Sequence, residues 1–202
     1  MSPRRRKAED ADVFAAMVRV MMRVGPAELT LGAIAAEAGL TAAALVHRFG
    51  SKRDLLLAHA RHAAATHDIG FGPPDTRIRS PLRAIRSSIE PYARLAASPR
   101  AALRNLAYLQ HDLADPALRR NLLRLSRAAR AHYEQLVAEA VAAGELRADT
   151  DVRKLARQIE VTLGGSFLAW TLYREGSAAA WLRQDLEATL RPYLPRGARA
   201  SR

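Results

Sequence analysis

Apolar residues recur along this chain with helical spacing, and the strict alternation typical of strands is nearly absent. The first apolar stripe begins at Val13, repeats through Met21 and ends at Gly25-Pro26. Capping residues and glycines divide the rest of the chain into further segments of the same periodicity, about nine in all. The pattern therefore predicts an all-α protein of about nine helices.

Two short helices joined by a tight turn are predicted within residues 29–55. Thr30 and Thr41 cap their first turns, and Gly39 supplies the turn because glycine readily adopts a left-handed backbone. If the larger apolar residues pack inward, the second helix has a small outward face formed by Ala42, Ala43, Val46 and His47. A short helix with so small an outer face fits a DNA major groove.

Three helix starts in this region offer free backbone amides to an anion: those at Thr30, Thr41 and Ser51-Lys52. Ser51 and Asp54 also form a capping box that opens a longer helix, from Lys52 to about residue 66. A single cap of this kind opens ordinary helices everywhere. Three such helix starts within about 22 residues, however, favour a region that grips a phosphate backbone.

The order of these features follows the pattern T-x-x-x-I-A-x-x-A-G-x-T-x-x-x-L-x-H-x-F-x-S-K-x-x-L, from Thr30 to Leu55. With the amphipathic helix before it, this stretch resembles the DNA-binding head of the tetracycline-repressor (TetR) family of bacterial transcription regulators. The resemblance is close over residues 8–60 and extends to the rest of the chain in layout only. It implies a three-helix, helix-turn-helix head followed by a helical C-terminal body for ligand binding and dimerisation.

The resemblance also implies that the helix from Thr41 is the recognition helix and that Thr30, Thr41, His47 and Lys52 touch DNA, chiefly phosphates. The chain departs from the family pattern at Ala42, Ala44 and Val46, where relatives usually carry Lys or Arg, Thr or Ser, and Tyr. We therefore expect readout of thymine methyl groups, with Arg48 and the tail Arg4–Lys7 supplying charge. The predicted DNA-binding set is Thr30, Thr41, Ala42, Ala43, Val46, His47, Arg48 and Lys52. For Arg48, a solvated surface position is an equally good alternative.

A linker candidate rich in glycine and proline spans residues 70–75. It predicts a DNA-binding domain at 1–67, a linker at 68–79, a ligand-binding and dimerisation domain at 80–195, and a basic tail at 196–202. Three helices of the body open with a capping side chain followed by proline, at Ser80-Pro81, Ser98-Pro99 and Asp115-Pro116.

The last two predicted helices are candidates for an intersubunit four-helix bundle. Glycine in a helix interior costs about 1 kcal/mol relative to alanine, so the pair Gly164-Gly165 indicates close approach of a partner helix. The predicted homodimer interface is Leu155, Ile159, Leu163, Gly164, Gly165, Leu182, Leu186 and Leu190. An internal core pair of helices is the alternative.

Polar residues within apolar segments of the body, Arg94, Tyr108 and His111, are candidates for lining a ligand cavity. Members of the family sense small ligands in such a body, and this lining suits a small apolar ligand. Ordinary surface positions are the alternative for each residue.

Composition narrows the remaining choices. The 32 Lys+Arg against 20 Asp+Glu give a net charge of +12, which favours polyanionic partners but is spread too evenly to indicate a face. The absence of cysteine excludes disulfides, thiolate zinc sites, Fe–S clusters and a cysteine nucleophile. No apolar run is long enough for a membrane span or a signal peptide, so we expect a cytoplasmic protein.

Two histidine groups are weak candidates for other chemistry. His59 and His62 lie one helical turn apart, but exposed positions are the better interpretation because a metal site needs three or four ligands. His111-Asp112 has no nucleophile at a motif spacing. We therefore predict no enzyme activity, no metal and no cofactor.

Together these features predict a homodimeric, ligand-responsive transcription regulator, a repressor, that binds a near-palindromic DNA operator with half-sites about 34–36 Å apart. An activator of the same family is the nearest alternative. A non-specific nucleoid-type DNA-binding protein and a small helical enzyme are more distant ones.

Overall fold

The computed structural model describes residues 9–66 and 79–195, with the side chains of residues 64–66 excepted. These ranges contain only helices and their connections: α1 Asp10–Met21, α2 Leu31–Glu37, α3 Ala42–Phe49, α4 Lys52–Thr66, α5 Pro81–Ser87, α6 Ile89–Leu95, α7 Pro99–Ala114, α8 Pro116–Ala142, α9 Val152–Tyr173 and α10 Ala178–Leu190, with a short 3₁₀ turn at Arg191–Tyr193. The all-α prediction is confirmed. Within the described ranges, no helix is both long enough and apolar enough to cross a membrane.

The predicted caps form. Thr30 Oγ1 accepts a hydrogen bond from the amide of Ala33 at 3.1 Å, and Thr41 Oγ1 accepts one from the amide of Ala44 at 3.2 Å. The segment after Ser80 contains two helices, α5 and α6. Pro91 explains why α5 ends at Ser87. It has no N–H to donate to the carbonyl of Ser87, four residues earlier, so the hydrogen bonds of α5 cannot continue past this point.

The described helices fall into two compact units. The first contains α1 to α4 together with Leu103–Leu122, which is most of α7 and the start of α8. Its core is formed by apolar side chains of the first four helices and by Tyr108 and Leu118. The short helices α2 and α3 are therefore supported by residues far away in sequence.

The second unit contains α5, α6, the longer part of α8, α9 and α10. Its core includes Leu82 and Ile85 of α5, Tyr133 and Val137 of α8, and the inner faces of α9 and α10. The predicted linker lies outside the described residues except for Arg79, and the basic tail lies wholly outside them.

Candidate nucleic-acid interface and other predicted sites

Helices α2 and α3 form a helix-turn-helix. Gly39 has a φ of +67°, in the left-handed region that favours glycine. The amide of Leu40 closes the turn with a hydrogen bond to the carbonyl of Ala35 at 2.8 Å. Ile34 of α2 and Leu45 of α3 are both fully buried in the core of the first unit. The turn and these two anchors fix α3 relative to α2.

The outer face of α3 is small and mainly apolar. Ala42, Ala43, Val46 and His47 are all exposed. Val46 has 51% of its surface exposed, whereas its neighbour Leu45 has none. The structure therefore brings the predicted base-reading residues together on one accessible helix face.

The two cations predicted beside that face both have protein partners. Arg48 forms an ion pair with Asp10 of α1, and its guanidinium lies 5.3 Å from the centre of the Phe49 ring. Lys52 Nζ donates a hydrogen bond to the carbonyl of Pro26 at 3.1 Å. Lys52 thereby fastens the start of α4 to the loop between α1 and α2, and only one of its three N–H groups is used in this bond. The tail Arg4–Lys7 lies outside the described residues.

A second ion-pair group supports α2. Arg19 of α1 and Arg23, two residues beyond its end, both bind the carboxylate of Glu37, with 2.6 Å from Arg19 Nε to Glu37 Oε1. These two bonds hold the pKa of Glu37 below its usual value, and the bond from Arg19 has the larger effect. Sequence reasoning missed this group, although two arginines four residues apart at the end of a predicted helix are candidates for a shared acidic partner.

Two contacts attach α7 and α8 to the rest of the first unit. Tyr108 donates a hydrogen bond to the carbonyl of Val24 at 3.0 Å, and Arg53 Nε lies 2.5 Å from Asp115 Oδ2. Asp115 also accepts from the amide of Ala117 at 2.7 Å, so it caps α8 while it binds Arg53. The hydrogen bond from Arg53 is the main reason that the pKa of Asp115 falls to about 2. The cap was readable from the sequence, but the arginine 62 residues away was not.

Two of the three predicted ligand-cavity residues, Arg94 and Tyr108, lie elsewhere than in an enclosed cavity, and the role of His111 stays a prediction. Arg94 is exposed, so it does not line an enclosed cavity. Tyr108 is packed in the core of the first unit and bonded to Val24, and burial raises its pKa to about 12, so its hydroxyl keeps its proton at neutral pH. His111 is half-buried, with Nδ1 3.5 Å from Asp112 Oδ1. Isolated polar residues in an apolar segment gave no information about which partner each would find.

The two histidines of α4 contact an aromatic ring. The ring centres of His59 and His62 lie 5.6 Å and 5.2 Å from that of Phe14. Over the described part of the chain, no group of three or more His, Cys, Asp or Glu residues is arranged to hold a metal ion.

The predicted dimer interface was wrong for its large side chains. Six of them are no more than 1% exposed and belong to the protomer's own core: Leu155, Ile159, Leu163, Leu182, Leu186 and Leu190. Helical periodicity identified an apolar stripe but could not tell an internal face from an interface. A side chain already buried in its own protomer is not available to a second copy.

Another face of α9 is apolar and accessible. Val161, Leu168 and Leu172 are 62%, 49% and 72% exposed. Gly164 and Gly165 lie between them, and a Cβ added to either glycine would have no neighbour within 4 Å. Next to this stripe, an open groove between α9 and α10 is lined by basic, polar and apolar side chains: Arg153, Lys154, Arg157, Gln158, Val161, Thr162, Ala188, Thr189, Pro192 and Tyr193.

The chain belongs to the TetR family. Residues 13–59 match the profile described as bacterial regulatory proteins, tetR family, and residues 81–186 match the profile described as tetracyclin repressor-like, C-terminal domain. The first match runs from Val13 in α1 to His59 in α4 and so contains the helix-turn-helix. Proteins of this family are DNA-binding regulators and not enzymes. No curated protein sequence matches the chain.

Solved structures share the fold. A TetR transcription regulator from Haloarcula marismortui is 16% identical, with a TM-score of 0.73 over 92% of this chain and 98% of that one. A transcriptional regulator from Saccharomonospora viridis, in complex with choline, is 18% identical, with a TM-score of 0.73 over 93% and 98%. SmeT, the repressor of the Stenotrophomonas maltophilia multidrug efflux pump SmeDEF, is 20% identical, with a TM-score of 0.66 over 96% and 94%.

Proposed function

We propose that this protein is a homodimeric, ligand-responsive repressor that binds a near-palindromic DNA operator. The observation that carries the proposal is the exposed face of α3, which sits on a helix-turn-helix within the segment that matches the family's DNA-binding profile. A helix presented in this way enters a major groove, and its first residues contact base edges.

Each DNA-binding residue has a proposed role. Ala42, Ala43, Val46 and His47 face the bases. The capped starts of α2 and α3, at Thr30 and Thr41, approach phosphates because their free amides and helix dipoles attract anions. Lys52 adds a phosphate contact through the N–H groups that Pro26 does not use, and Arg48 adds one when DNA displaces Asp10.

Dimerisation is proposed through the exposed face of α9. Val161, Leu168 and Leu172 are large apolar side chains in water, and burying them stabilises an assembly by about 25 cal/mol per Å² of apolar surface. Gly164 and Gly165 allow a second helix to approach the backbone closely. A two-fold dimer would present two α3 helices to the two half-sites of a near-palindrome.

The repressor role and the response to a small apolar ligand are supported by relatives with the same fold. SmeT is a repressor, and it has been solved in complex with triclosan, an apolar aromatic compound. An activator with the same architecture is the alternative.

Selection from a randomised duplex library tests the DNA-binding proposal. The protein should enrich an inverted repeat and hold it against excess random DNA, whereas a nucleoid-type protein would enrich nothing. A variant with both Val46→Ala and His47→Ala should lose operator binding but keep its weak binding to random DNA. As a matched control, Lys52→Ala should weaken both and lower the slope of log affinity against log salt by roughly 1.

The ligand response is tested separately. A panel of apolar small molecules, with triclosan included, is first screened for a rise in melting temperature, because a ligand that binds the folded state stabilises it. Stabilising compounds are then titrated into the operator complex. Release of DNA supports a ligand-responsive repressor, whereas binding without any change in operator affinity contradicts it.

A further inference from the structure

The recognition helix carries almost no hydrogen-bonding capacity on its outer face. Side chains that distinguish bases by hydrogen bonds are chiefly Arg, Lys, Asn, Gln, Asp and Glu. None of these occurs at Ala42, Ala43, Val46 or His47, and of the four only His47 has a polar side chain. The remaining three offer methyl groups.

The nearby cations do not fill this gap. Arg48 is held by Asp10 and lies beside the ring of Phe49. Lys52 is held by the carbonyl of Pro26, on the loop between α1 and α2. Both are therefore directed to protein groups at the edges of α3, where phosphates rather than base edges are the natural alternative partners.

Val46 has the geometry of a rigid methyl reader. Val46 is half exposed, whereas Leu45, the residue before it on α3, is fully buried in the core and anchors the helix. A β-branched side chain in a helix has one strongly preferred χ1 rotamer, so its two methyl groups occupy fixed positions. In the major groove, the apolar group that marks a base is the C5-methyl of thymine.

We propose that Val46, flanked by Ala42 and Ala43, determines specificity by packing against thymine C5-methyl groups in the operator. The inference rests on the proposed function and names the chemical group that α3 recognises. It predicts a specific sensitivity: replacing thymine by deoxyuridine removes one methyl group and leaves every hydrogen-bonding group of the base pair in place.

The experiment uses the full-length protein and the duplex selected from the randomised library. Each thymine of one half-site and its symmetry mate is replaced by deoxyuridine, and affinity is measured by fluorescence anisotropy. Losing a buried methyl group corresponds to ~0.8 kcal/mol, or about a fourfold weaker affinity for each contact. At least one thymine position should show this loss.

Two variants assign the loss to Val46. Val46→Ala removes both methyl groups, and Val46→Thr keeps the shape but replaces one methyl by a hydroxyl. The deoxyuridine penalty at the sensitive position should disappear in Val46→Ala and shrink in Val46→Thr. Leu123→Ala, at an exposed leucine of α8, is the control and should retain the full penalty.

The outcomes separate the two proposals. If no sequence is enriched from the library, both the operator-binding function and the methyl readout are wrong. If a sequence is enriched but its deoxyuridine forms bind equally well, only the methyl readout is overturned. If the penalty persists unchanged in both Val46 variants, another residue reads the methyl group and the assignment to Val46 is wrong.

Discussion

The hydroxyl of Tyr108 donates a hydrogen bond to the backbone carbonyl of Val24 across 84 positions of sequence. Val24 lies in the loop between α1 and α2, and Tyr108 lies on α7. The bond therefore fastens the loop that precedes the helix-turn-helix to a helix of the C-terminal region. Arg53 and Asp115 make a second such attachment, between α4 and the start of α8.

We expect Tyr108→Phe to lower the melting temperature. The substitution keeps the buried ring and removes only the bond to Val24, a typical loss of about 0.5–1.5 kcal/mol. For a chain of this size, that corresponds to roughly 2–4 °C for each kcal/mol. Thermal unfolding followed by circular dichroism measures the change. Tyr173→Phe, at a tyrosine that is 65% exposed, is the matched control and should have no effect; equal melting temperatures for the two variants would show that the Tyr108 bond is not stabilising.

Asp115 should stabilise the protein in a pH-dependent way. Its pKa is about 2 in the folded state, through Arg53 first and then the amides of Ala117 and Leu118, against about 3.9 in an unfolded chain. A lowered folded-state pKa adds stability above the unfolded value, and this stability is lost as the pH falls from about 4 to about 2.

The comparison of wild type with Asp115→Asn tests this. The wild type should be more stable to urea at pH 7, and its advantage should shrink steadily below about pH 4. Arg53→Gln removes the ion pair but leaves the hydrogen bond from the amide of Ala117 to Asp115. It should therefore cause only part of the loss of stability that Asp115→Asn causes at pH 7. An advantage that stays constant down to pH 2 would contradict the role given to this carboxylate.

Asp10 should restrain Arg48. Because exposed ion pairs are weak, a DNA phosphate can compete with Asp10 for the guanidinium. Asp10→Asn should therefore strengthen binding to operator and random DNA alike, by a few-fold at low salt and less at high salt. Electrophoretic mobility shifts at two salt concentrations measure this.

Two control variants identify the cause of that gain. Asp149→Asn removes the same charge from an exposed ion pair with Arg147 in the second unit, and it should leave affinity unchanged. Adding Arg48→Gln to Asp10→Asn should cancel the gain. If Asp149→Asn strengthens binding just as much, the effect is one of total charge and not of Arg48.

The α9 face should be required for the dimer. Leu172→Glu places a charge on a position that is 72% exposed, so the protomer should still fold, but the proposed interface would have to bury an unpaired carboxylate. Sedimentation velocity should then show a monomer where the wild type is a dimer. Leu123→Glu makes the same change at an exposed leucine of α8 and should leave the dimer intact.

Gly165→Leu examines the same face without introducing charge. Apart from the neighbouring backbone of its own helix, the protomer has no atom within 4 Å of an added Cβ, so a leucine fits the isolated chain and improves its helix propensity. Against a closely packed second helix, however, the side chain would clash. The variant should dissociate and lose the dependence of melting temperature on protein concentration. If the variant remains a dimer, Gly165 does not lie in the interface.

The local features of the DNA-binding region were determined by the sequence itself. Thr30, Thr41 and Gly39 act through their own backbone neighbours, because caps and left-handed turns depend on residues only two to four positions away. The outward face of α3 also followed from periodicity, since burying Leu45 leaves Val46 and His47 outside. The all-α fold and the family pattern were readable for the same reason.

Tertiary structure decided which partner each non-local group meets. An apolar stripe such as that of Leu155 and Ile159 requires burial, but nothing in its spacing says whether its own protomer or a second copy provides the cover; here it is the protomer. Likewise, Tyr108 was identified as a polar group needing a partner, yet only the folded chain brings the carbonyl of Val24 within 3.0 Å. Hydrophobic burial and hydrogen bonding specify the kind of contact a residue needs, and the path of the chain in space determines the atom that makes it.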